Sequence, residues 1–323
     1  MSTKTIAIIG ANGFLGKTTD HYFRQSGWRT VGFTRDPKIH TACTNQVQWT
    51  PGSPETIARH LDGVDAVINL AGRSVDCRYN RKNKAKILRS RLESTRAIEK
   101  AIESCRTPPS VWLNASSATI YEEAFENPQT EERGTLGHGF SVSICRAWEN
   151  AFFESKLPNT RKVALRTSLV LGHGRNSVYP RLAQLTRMGL GGTIGDGEQM
   201  VSWIHELDFA RALKFLIEDE SLEGVFNLTA PAPLNNRAFM RSLREKTGRA
   251  VGIPTPRWLL KIGTFLLRTE PELVLKSRFV IPERLMKERF LFRYPFIDEA
   301  FDDLGHKRTE PKHLLGQSAC PSP

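Results

Sequence analysis

The chain has 323 residues and combines an ordinary globular composition with a strong positive charge. Apolar residues make up 39% and charged residues 25%, which excludes a disordered or fibrous chain. The 46 Lys and Arg residues exceed the 34 Asp and Glu residues and give a formal net charge of +12. This charge favours an anionic ligand or partner.

Neither a membrane anchor nor a disulfide framework is expected. No apolar run approaches the ~20 residues that span a bilayer, and the run at residues 6–9 is too short for the core of a signal peptide. The five cysteines are odd in number and include no CxxC pair, so neither disulfides nor a structural zinc site is predicted. We therefore expect a cytoplasmic protein without a metal centre.

The first 34 residues predict a strand, a glycine-rich turn, a helix and a second strand. Residues 5–9 predict a buried strand, and Gly10, Gly13 and Gly16 follow it directly. Gly10 permits a tight turn, Gly13 lets a pyrophosphate approach the backbone, and Gly16 lets the helix pack closely. The free N–H groups of the helix then face the phosphates. The predicted dinucleotide-binding residues of this turn are Gly10, Asn12, Gly13, Phe14, Leu15 and Gly16.

The end of the second predicted strand indicates which dinucleotide binds. NAD-binding sites of this type place Asp or Glu there to hold the ribose hydroxyls, whereas this chain has Thr34 and Arg35. A guanidinium can bind a 2′-phosphate through two parallel hydrogen bonds. The sequence therefore predicts that NADP(H) is preferred over NAD, with a solvated loop position for Arg35 as the alternative.

Further strands alternate with helices, as a doubly wound parallel sheet requires. Strands are predicted at residues 65–70, 111–116, 162–167 and 225–228, and helices at about 81–104, 147–155 and 207–217. Ligands of such sheets bind at the carboxyl ends of the strands. Asn69 could cap the end of its strand, which is compatible with a place in the cofactor site. The predicted cofactor site therefore also includes residues at these strand ends, namely Asn69, Leu70, Ala71, Gly72 and Ser116.

The predicted fold class is α/β, a Rossmann-type doubly wound parallel sheet with a small, mostly helical C-terminal subdomain. Residues 1–235 form the nucleotide-binding domain and include a glycine-dense loop at 189–197, where substrate contacts are expected. Residues 236–305 form the C-terminal subdomain, in which prolines break the helical pattern. Residues 306–323 are predicted to be a flexible tail.

A basic stretch covers the predicted helix at about residues 81–104. Ten Lys and Arg residues occur between residues 73 and 100, against three Asp and Glu residues. Such a stretch can bind nucleic acid, form the solvated face of a helix, or attract an anionic small molecule. No zinc-finger, RNA-binding-sheet or helix-turn-helix pattern accompanies it. A small-molecule substrate, with an anionic one favoured, is therefore predicted, and nucleic-acid binding is disfavoured.

Together these features resemble the extended short-chain dehydrogenase/reductase superfamily. More closely, the chain resembles an NAD-dependent epimerase/dehydratase-like family that carries a C-terminal domain of unknown function. The resemblance covers about residues 10–304, and the order and spacing of its motifs make it specific. Besides the glycine turn, the matching segments are 69–72, 90–95, 116–121, 165–167, 189–197, 202–205, 281–285 and 290–294.

The resemblance implies a catalytic set that this chain contains only in part. The superfamily uses a Ser or Thr, a Tyr as acid or base, and a Lys four residues after the Tyr. The Ser corresponds to Ser117, but Ser141 and Cys145 stand where the Tyr and the Lys are expected. No tyrosine of the chain has Lys at the fourth following position, which is Ser26, Asn83, Phe125, Ala183 or Asp298.

Other residues are candidates for the missing groups. Tyr121 follows Ser117 closely, and Arg91 lies on the basic helix where relatives often carry an Asn near the substrate. His205 begins a predicted helix beside the glycine-dense loop. A nucleophilic Cys145 is disfavoured, because a lone cysteine on a helix is usually a small buried residue. We predict Ser117, Tyr121 and Arg91 as catalytic residues, with a packed ring and a surface charge as the alternatives for the last two.

Two functions remain open. The first is an NADP(H)-dependent oxidoreductase or epimerase of atypical mechanism, which the retained Ser117 and the glycine-dense loop favour. The second is a non-catalytic NADP(H)-binding redox sensor or regulatory protein, which the missing Tyr and Lys favour.

Overall fold

The structure is a computed structural model and describes residues 3–36, 38, 41–174, 176–255 and 276–306. The predicted tail from residue 307 onwards and residues 256–275 of the predicted C-terminal subdomain lie outside the described residues. The described strands are β1 Thr5–Ile9, β2 Arg29–Thr34, β3 Asn45–Gln48, β4 Ala66–Asn69, β5 Val111–Ser117, β6 Arg161–Thr167, β7 Leu169–Leu171, β8 Met200–Val201, β9 Trp203–His205, β10 Gly224–Leu228 and β11 Leu234–Asn235.

Helices pack around these strands. Two further short segments have other helical geometries, a 3₁₀ turn at Ala118–Ile120 and a π turn at Thr186–Leu190. The described α-helices are α1 Phe14–Gln25, α2 Pro54–Leu61, α3 Arg81–Glu103, α4 Phe140–Phe153, α5 Val178–Leu185, α6 Glu206–Glu218, α7 Asn236–Lys246, α8 Glu283–Lys287 and α9 Ile297–Gly305.

Seven strands form one parallel sheet in the order β10-β6-β5-β4-β1-β2-β3. The chain order reverses at β1, which pairs with β2 on one side and with β4 on the other. Loops that leave the sheet in opposite directions at such a point open a crevice at the carboxyl ends of the strands. The predicted Rossmann-type fold class is confirmed.

The core lies on both faces of this sheet because successive side chains of a strand point to opposite faces. Ile6 and Ile8 of β1 pack in the cluster that includes α6, whereas Ala7 and Ile9 pack in the cluster that includes α2 and α3. All four side chains are fully buried. A strand that is apolar along its whole length therefore occupies the middle of the sheet.

Several elements differ from the predictions. The strand β3, the helices α2 and α5 and the short strands β7, β8, β9 and β11 were not predicted, and α4 begins at Phe140 rather than near residue 147. Of the four residues of β3, only Val47 is buried, so this edge strand has little apolar signal. The helix α4 follows Gly139, which has a φ of +99°. Glycines just before the helix made its start look like a loop.

The described C-terminal region is largely helical, as predicted, and it packs into the same body. Leu285 and Phe290 belong to the apolar cluster on one face of the sheet. The segment at residues 277–281 crosses the loop before α4, where the N–H of Gln129 donates to the carbonyl of Phe279 at 2.7 Å. The hydroxyl of Ser202 donates to the carbonyl of Arg278 at 2.7 Å. The division at residue 235 stays a prediction.

Candidate functional site

The turn between β1 and α1 has the backbone that the glycine spacing predicts. Gly10 has a φ of +86°, a conformation that is strained for other residues. The N–H groups of Gly10 and Ala11 donate to the carbonyl of Phe33 at 3.0 and 3.2 Å. Gly13 precedes α1 without a side-chain capping bond, and the described first turn of α1 contains no acidic residue. The amino end of α1 can therefore accept an anion.

Close packing makes this turn a cradle that only small residues can form. A Cβ at Gly16 would lie 2.3 Å from the carbonyl oxygen of Gly10, so α1 rests directly on the turn. A Cβ at Gly10 would lie 3.1 Å from the carbonyl carbon and oxygen of Leu70, so the turns after β1 and β4 touch through their backbones. This cradle fits the pyrophosphate of a dinucleotide.

A cavity of about 210 Å³ opens beside the turn. Predicted cofactor residues that line it are Gly10, Asn12, Gly13, Thr34, Arg35, Leu70, Ala71 and Gly72. Sequence reasoning missed six further lining residues, which come from the end of β2, the loop after β3 and the helix α3. Of these six residues, only Trp49, at the end of a short polar segment, offered a sequence signal for a place in the cavity. The missed residues are Phe33, Trp49, Pro51, Ser90, Glu93 and Ser94.

The remaining predicted cofactor residues support the site from behind. The side-chain oxygen of Asn69 accepts from the N–H of Ala71 at 3.1 Å, and its amide donates to Asn114 at 2.7 Å. Asn69 therefore caps the end of β4, as one of the two predicted roles has it. The hydroxyl of Ser116 donates to Glu149 at 2.6 Å. The ring of Phe14 fills the space above Gly172 and Gly174, and Leu15 packs on the core.

The rim of the cavity at the end of β2 is basic. Arg35 is exposed there, and Thr34 is buried with its hydroxyl accepting from the N–H of Asp36 at 3.3 Å. The carboxylate of Asp36 accepts from the N–H of Lys38 at 3.0 Å and so serves its own loop. An arginine rather than a carboxylate thus lines the part of the cavity where a ribose 2′ substituent is expected.

Ser117 ends β5 and is half-buried. Its hydroxyl donates to the hydroxyl of Thr119 at 3.0 Å and accepts from the N–H of Thr119 at 3.2 Å. These bonds cap the 3₁₀ turn that follows. The hydroxyl proton can rotate from Thr119 to another acceptor, because a hydroxyl hydrogen is free to turn.

Arg91 projects from α3 to the end of β4. Its Nη1 donates to the carbonyls of Arg73 and Ile87, each at 3.1 Å. The guanidinium lies 4.9 Å from the ring centre of Trp148, and a Cβ at Gly72 would lie 3.4 Å from its Cζ. Burial lowers the pKa of Arg91, although an arginine side chain keeps its proton in proteins. A fixed positive charge therefore stands next to the cavity wall.

Tyr121 is almost completely buried. Its hydroxyl donates to Asn227 at 2.9 Å and accepts from Nη1 of Arg166 at 2.8 Å. Burial raises the pKa of the phenol, against the influence of Arg166. The burial and the two hydrogen bonds of Tyr121 favour the alternative of a packed ring, and its catalytic role stays a prediction.

A buried ion pair stands behind Tyr121. The guanidinium of Arg166 on β6 donates to both carboxylate oxygens of Glu149 on α4, at 2.9 and 2.8 Å. Ser116 donates to the same carboxylate. These hydrogen bonds connect Ser116 to Asn227 through Glu149, Arg166 and Tyr121. They link the carboxyl ends of β5, β6 and β10 to one another and to α4. This network fixes the strand ends that carry the candidate site.

His205 has a structural position. Its Nδ1 accepts from the N–H of Leu207 at 3.1 Å and caps α6, while its Nε2 lies 3.2 Å from the carboxylate of Asp303. Burial lowers the pKa of this imidazole, so the neutral form caps the helix.

Among the described residues, no cluster of three His, Cys, Asp or Glu side chains is arranged to hold a metal ion. None of the helices that the structure describes is long and apolar enough to cross a membrane.

Comparison with known proteins decides the family. A model of the NAD dependent epimerase/dehydratase family matches residues 6–229. The chain belongs to this family. A second model, of a domain of unknown function, matches residues 255–304.

Relatives of this epimerase-family protein span nearly its whole length. Epimerase family protein SSP1921 of Staphylococcus saprophyticus is 30% identical over 309 residues, which cover 94% of this chain and 100% of that protein. Human epimerase family protein SDR39U1, solved with NADPH, aligns with a TM-score of 0.82 and 26% identity, covering 93% of this chain and 99% of that one. The UDP-glucose 4-epimerase of Thermus thermophilus, solved with NAD, shares the fold at 17% identity and a TM-score of 0.72.

The protein is thus an NAD(P)-binding member of an epimerase family, whose members act on small molecules. Ser141 and Cys145, which the sequence predicts in place of the superfamily Tyr and Lys, are both buried on α4. Burial raises the pKa of the Cys145 thiol to about 12. A thiol with that pKa is protonated at neutral pH and is a poor nucleophile.

Proposed function

We propose that this epimerase-family protein is an NADP(H)-dependent oxidoreductase or epimerase that works without the usual Tyr and Lys. The observation that carries the proposal is the glycine cradle, whose adjoining cavity has Arg35 at the end of β2. The carboxylate of the lining, Glu93, belongs to α3 and is paired with Arg89. The NADPH of the human relative supports the choice of cofactor.

Different residues of this chain would bind different parts of the dinucleotide. The backbone of Gly10 and Gly13 and the first turn of α1 would hold the pyrophosphate. Arg35 would pair with the 2′-phosphate, with the hydroxyl of Thr34 beside it. When bound, the nicotinamide supplies a hydride donor or acceptor for the substrate carbon.

Two residues would then act on the substrate. Arg91 keeps a positive charge beside Gly72, where it would orient an anionic group and stabilise charge that develops on a substrate oxygen. Ser117 would donate its hydroxyl hydrogen to that oxygen. The positive net charge of the chain also favours the approach of an anionic substrate.

A non-catalytic NADP(H) sensor is the second candidate, and one observation favours it. The hydroxyl of Tyr121 and the thiol of Cys145 are both buried and hold their protons tightly. Their burial disfavours both as replacements for the acid of the superfamily. A protein that binds the cofactor without turning it over would need no such acid.

An assay for turnover of cofactor and substrate distinguishes the two functions. Purified protein is mixed with NADPH or NADP⁺ and a panel of carbonyl compounds, alcohols and sugar nucleotides, while cofactor absorbance and sugar products are followed. We expect turnover that falls on the order of 100-fold in Ser117→Ala, the cost of losing one donor to a developing oxyanion. Ser143→Ala, at an exposed serine of α4, is the matched control. Tight NADPH binding without turnover across the panel would favour the sensor.

A further inference from the structure

Two neighbouring segments on the surface of the molecule carry exposed apolar side chains. Met188 and Leu190 lie in the π turn after α5, and Val251 and Ile253 follow α7 in the chain. The N–H of Ile253 donates to the carbonyl of Gly189 at 2.9 Å, so the two segments lie side by side. These four apolar side chains are called the apolar tip below.

The backbone contacts of the two segments leave the apolar tip in solvent. A Cβ at Gly252 would lie 2.5 Å from the carbonyl carbon of Gly191, so the second segment meets the first through a glycine. Nη1 of Arg244 on α7 donates to the carbonyl of Gly191 at 2.8 Å and ties the first segment to this helix. The neighbours of Gly252 are exposed, Val251 to 79% and Ile253 to 61%. Exposure of this size leaves most of each side chain for a partner to cover.

The two segments are basic as well as apolar. Residues 185–195 and 249–255 contain no Asp or Glu, and they include Arg187 and Arg249, which are both exposed. The chain as a whole has a formal net charge of +12. Neighbouring exposed apolar side chains mark interaction sites, and arginines beside such side chains favour an anionic lipid surface.

Charge distinguishes between the candidate partners of the apolar tip. A second copy of this chain would bring its own two arginines against Arg187 and Arg249, and facing like charges are unfavourable. An anionic bilayer offers phosphate groups to the guanidiniums and an apolar layer beneath them to the side chains of the tip. The bilayer therefore satisfies both properties of this surface.

We propose that the apolar tip docks the protein on an anionic lipid surface. The four side chains of the tip enter the headgroup layer, while Arg187 and Arg249 pair with lipid phosphates. The contact lies on one face of the bilayer and needs no helix that spans it. It is independent of the cofactor assigned above.

The experiment measures sedimentation of the full chain with two kinds of vesicle, pure phosphatidylcholine and an equal mixture of phosphatidylcholine and phosphatidylglycerol. We expect binding to the mixed vesicles and at least about 10-fold weaker binding to the neutral ones, because the arginines favour anionic headgroups. The double variant Arg187→Gln and Arg249→Gln should lose about 10- to 30-fold in affinity for the mixed vesicles for the same reason.

A second double variant tests the apolar contribution. Met188→Ser together with Val251→Ser should weaken binding to the mixed vesicles about 10- to 100-fold, because less apolar surface enters the lipid. Its thermal stability should match that of the wild type, since both side chains are exposed. Phe125→Ser is the matched control: Phe125 is also exposed, but it lies among acidic residues at 122, 123 and 126, and its loss should not change the affinity.

Wild-type protein that stays in solution with the mixed vesicles would overturn the proposal, and so would equal losses of affinity in the Met188 and Val251 double variant and in Phe125→Ser. Sedimentation equilibrium without lipid detects the competing partner. A dimer that dissociates in the double variant would show that a second copy covers the tip, and would overturn the proposal. Lower thermal stability of the double variant with unchanged vesicle binding would overturn it too, because the tip would then pack within the chain itself.

Discussion

Arg35 is the residue that determines cofactor choice in the proposed function. Replacing it by aspartate should raise the dissociation constant for NADPH about 10- to 100-fold, since one or more charged hydrogen bonds are lost and a repulsive charge is gained. Binding of NADH should change far less. Titration of both cofactors measures the ratio, with Lys38→Asp as a control at an exposed lysine of the same loop. Equal losses for the two cofactors would contradict the assignment.

Tyr121 should matter for stability and not for proton transfer. Tyr121→Phe removes the hydroxyl that joins Arg166 to Asn227. The guanidinium of Arg166 and the side-chain oxygen of Asn227, both buried, then each lose a hydrogen-bond partner. We expect the free energy of unfolding to fall by about 1–3 kcal/mol, the cost of such unpaired groups. Urea unfolding measures this loss. A variant of wild-type stability that had lost all turnover would restore Tyr121 as a catalytic residue.

At the scale of single residues, the sequence identified the backbone part of the site better than the side-chain part. Gly10 and Gly16 were predictable because their spacing follows from local geometry. The burial of Tyr121 depends on Asn227, which lies 106 positions along the chain. The place of Trp49 in the cavity depends on β3, whose pairing with β2 no local pattern reveals. Contacts between distant segments carried the missing information.

The helix α1 depends on the absence of a side chain at Gly16. Gly16→Ala would place a methyl group 2.3 Å from the carbonyl oxygen of Gly10, so the helix must shift away from the turn. We expect a loss of about 1–3 kcal/mol in unfolding free energy, as for other overpacked sites, together with weaker NADPH binding. Thermal unfolding and titration measure the two effects.

The control for that change is Gly52→Ala, because a Cβ there would meet no atom within 4 Å. Its stability and its affinity for NADPH should match those of the wild type. If Gly16→Ala also kept both, the close contact between α1 and the turn would not be needed for the site.

At the scale of elements, strong apolar patterns predicted well and short polar segments did not. The middle strands of the sheet each contain a buried apolar run of at least three residues, and they lie where the sequence predicts them. The edge strand β3 buries one residue of four and gave no such signal. The helix α4 was recognised only from its later turns because glycines precede it.

At the scale of the whole molecule, acid should weaken the packing of the C-terminal region on the sheet domain. His205 is buried between the sheet domain and α9, close to Asp303, Glu206, Asp208 and His173. Burial holds its pKa below the ordinary value of about 6.5. The unfolded chain therefore binds the proton more readily, and unfolding free energy falls as pH drops from about 6.5 towards the folded-state pKa.

Urea unfolding between pH 8 and pH 5.5 tests this prediction against His205→Asn, which keeps a helix-capping acceptor but does not titrate. The pH dependence of the wild type should be steeper than that of the variant below pH 6.5. His21→Asn, at an exposed histidine of α1, serves as the control. Identical slopes for wild type and His205→Asn would exclude His205 as the cause.

The contact between the backbones of Gly10 and Leu70 has a consequence for ligand design. A side chain at Gly10 would press on the backbone of Leu70, so the floor of the cavity leaves no room for a bulky group at this point. A synthetic analogue gains nothing from a bulky group directed at that floor. A group that extends past Arg35 into solvent meets no such barrier, and that direction suits the attachment of a dye or an affinity tag.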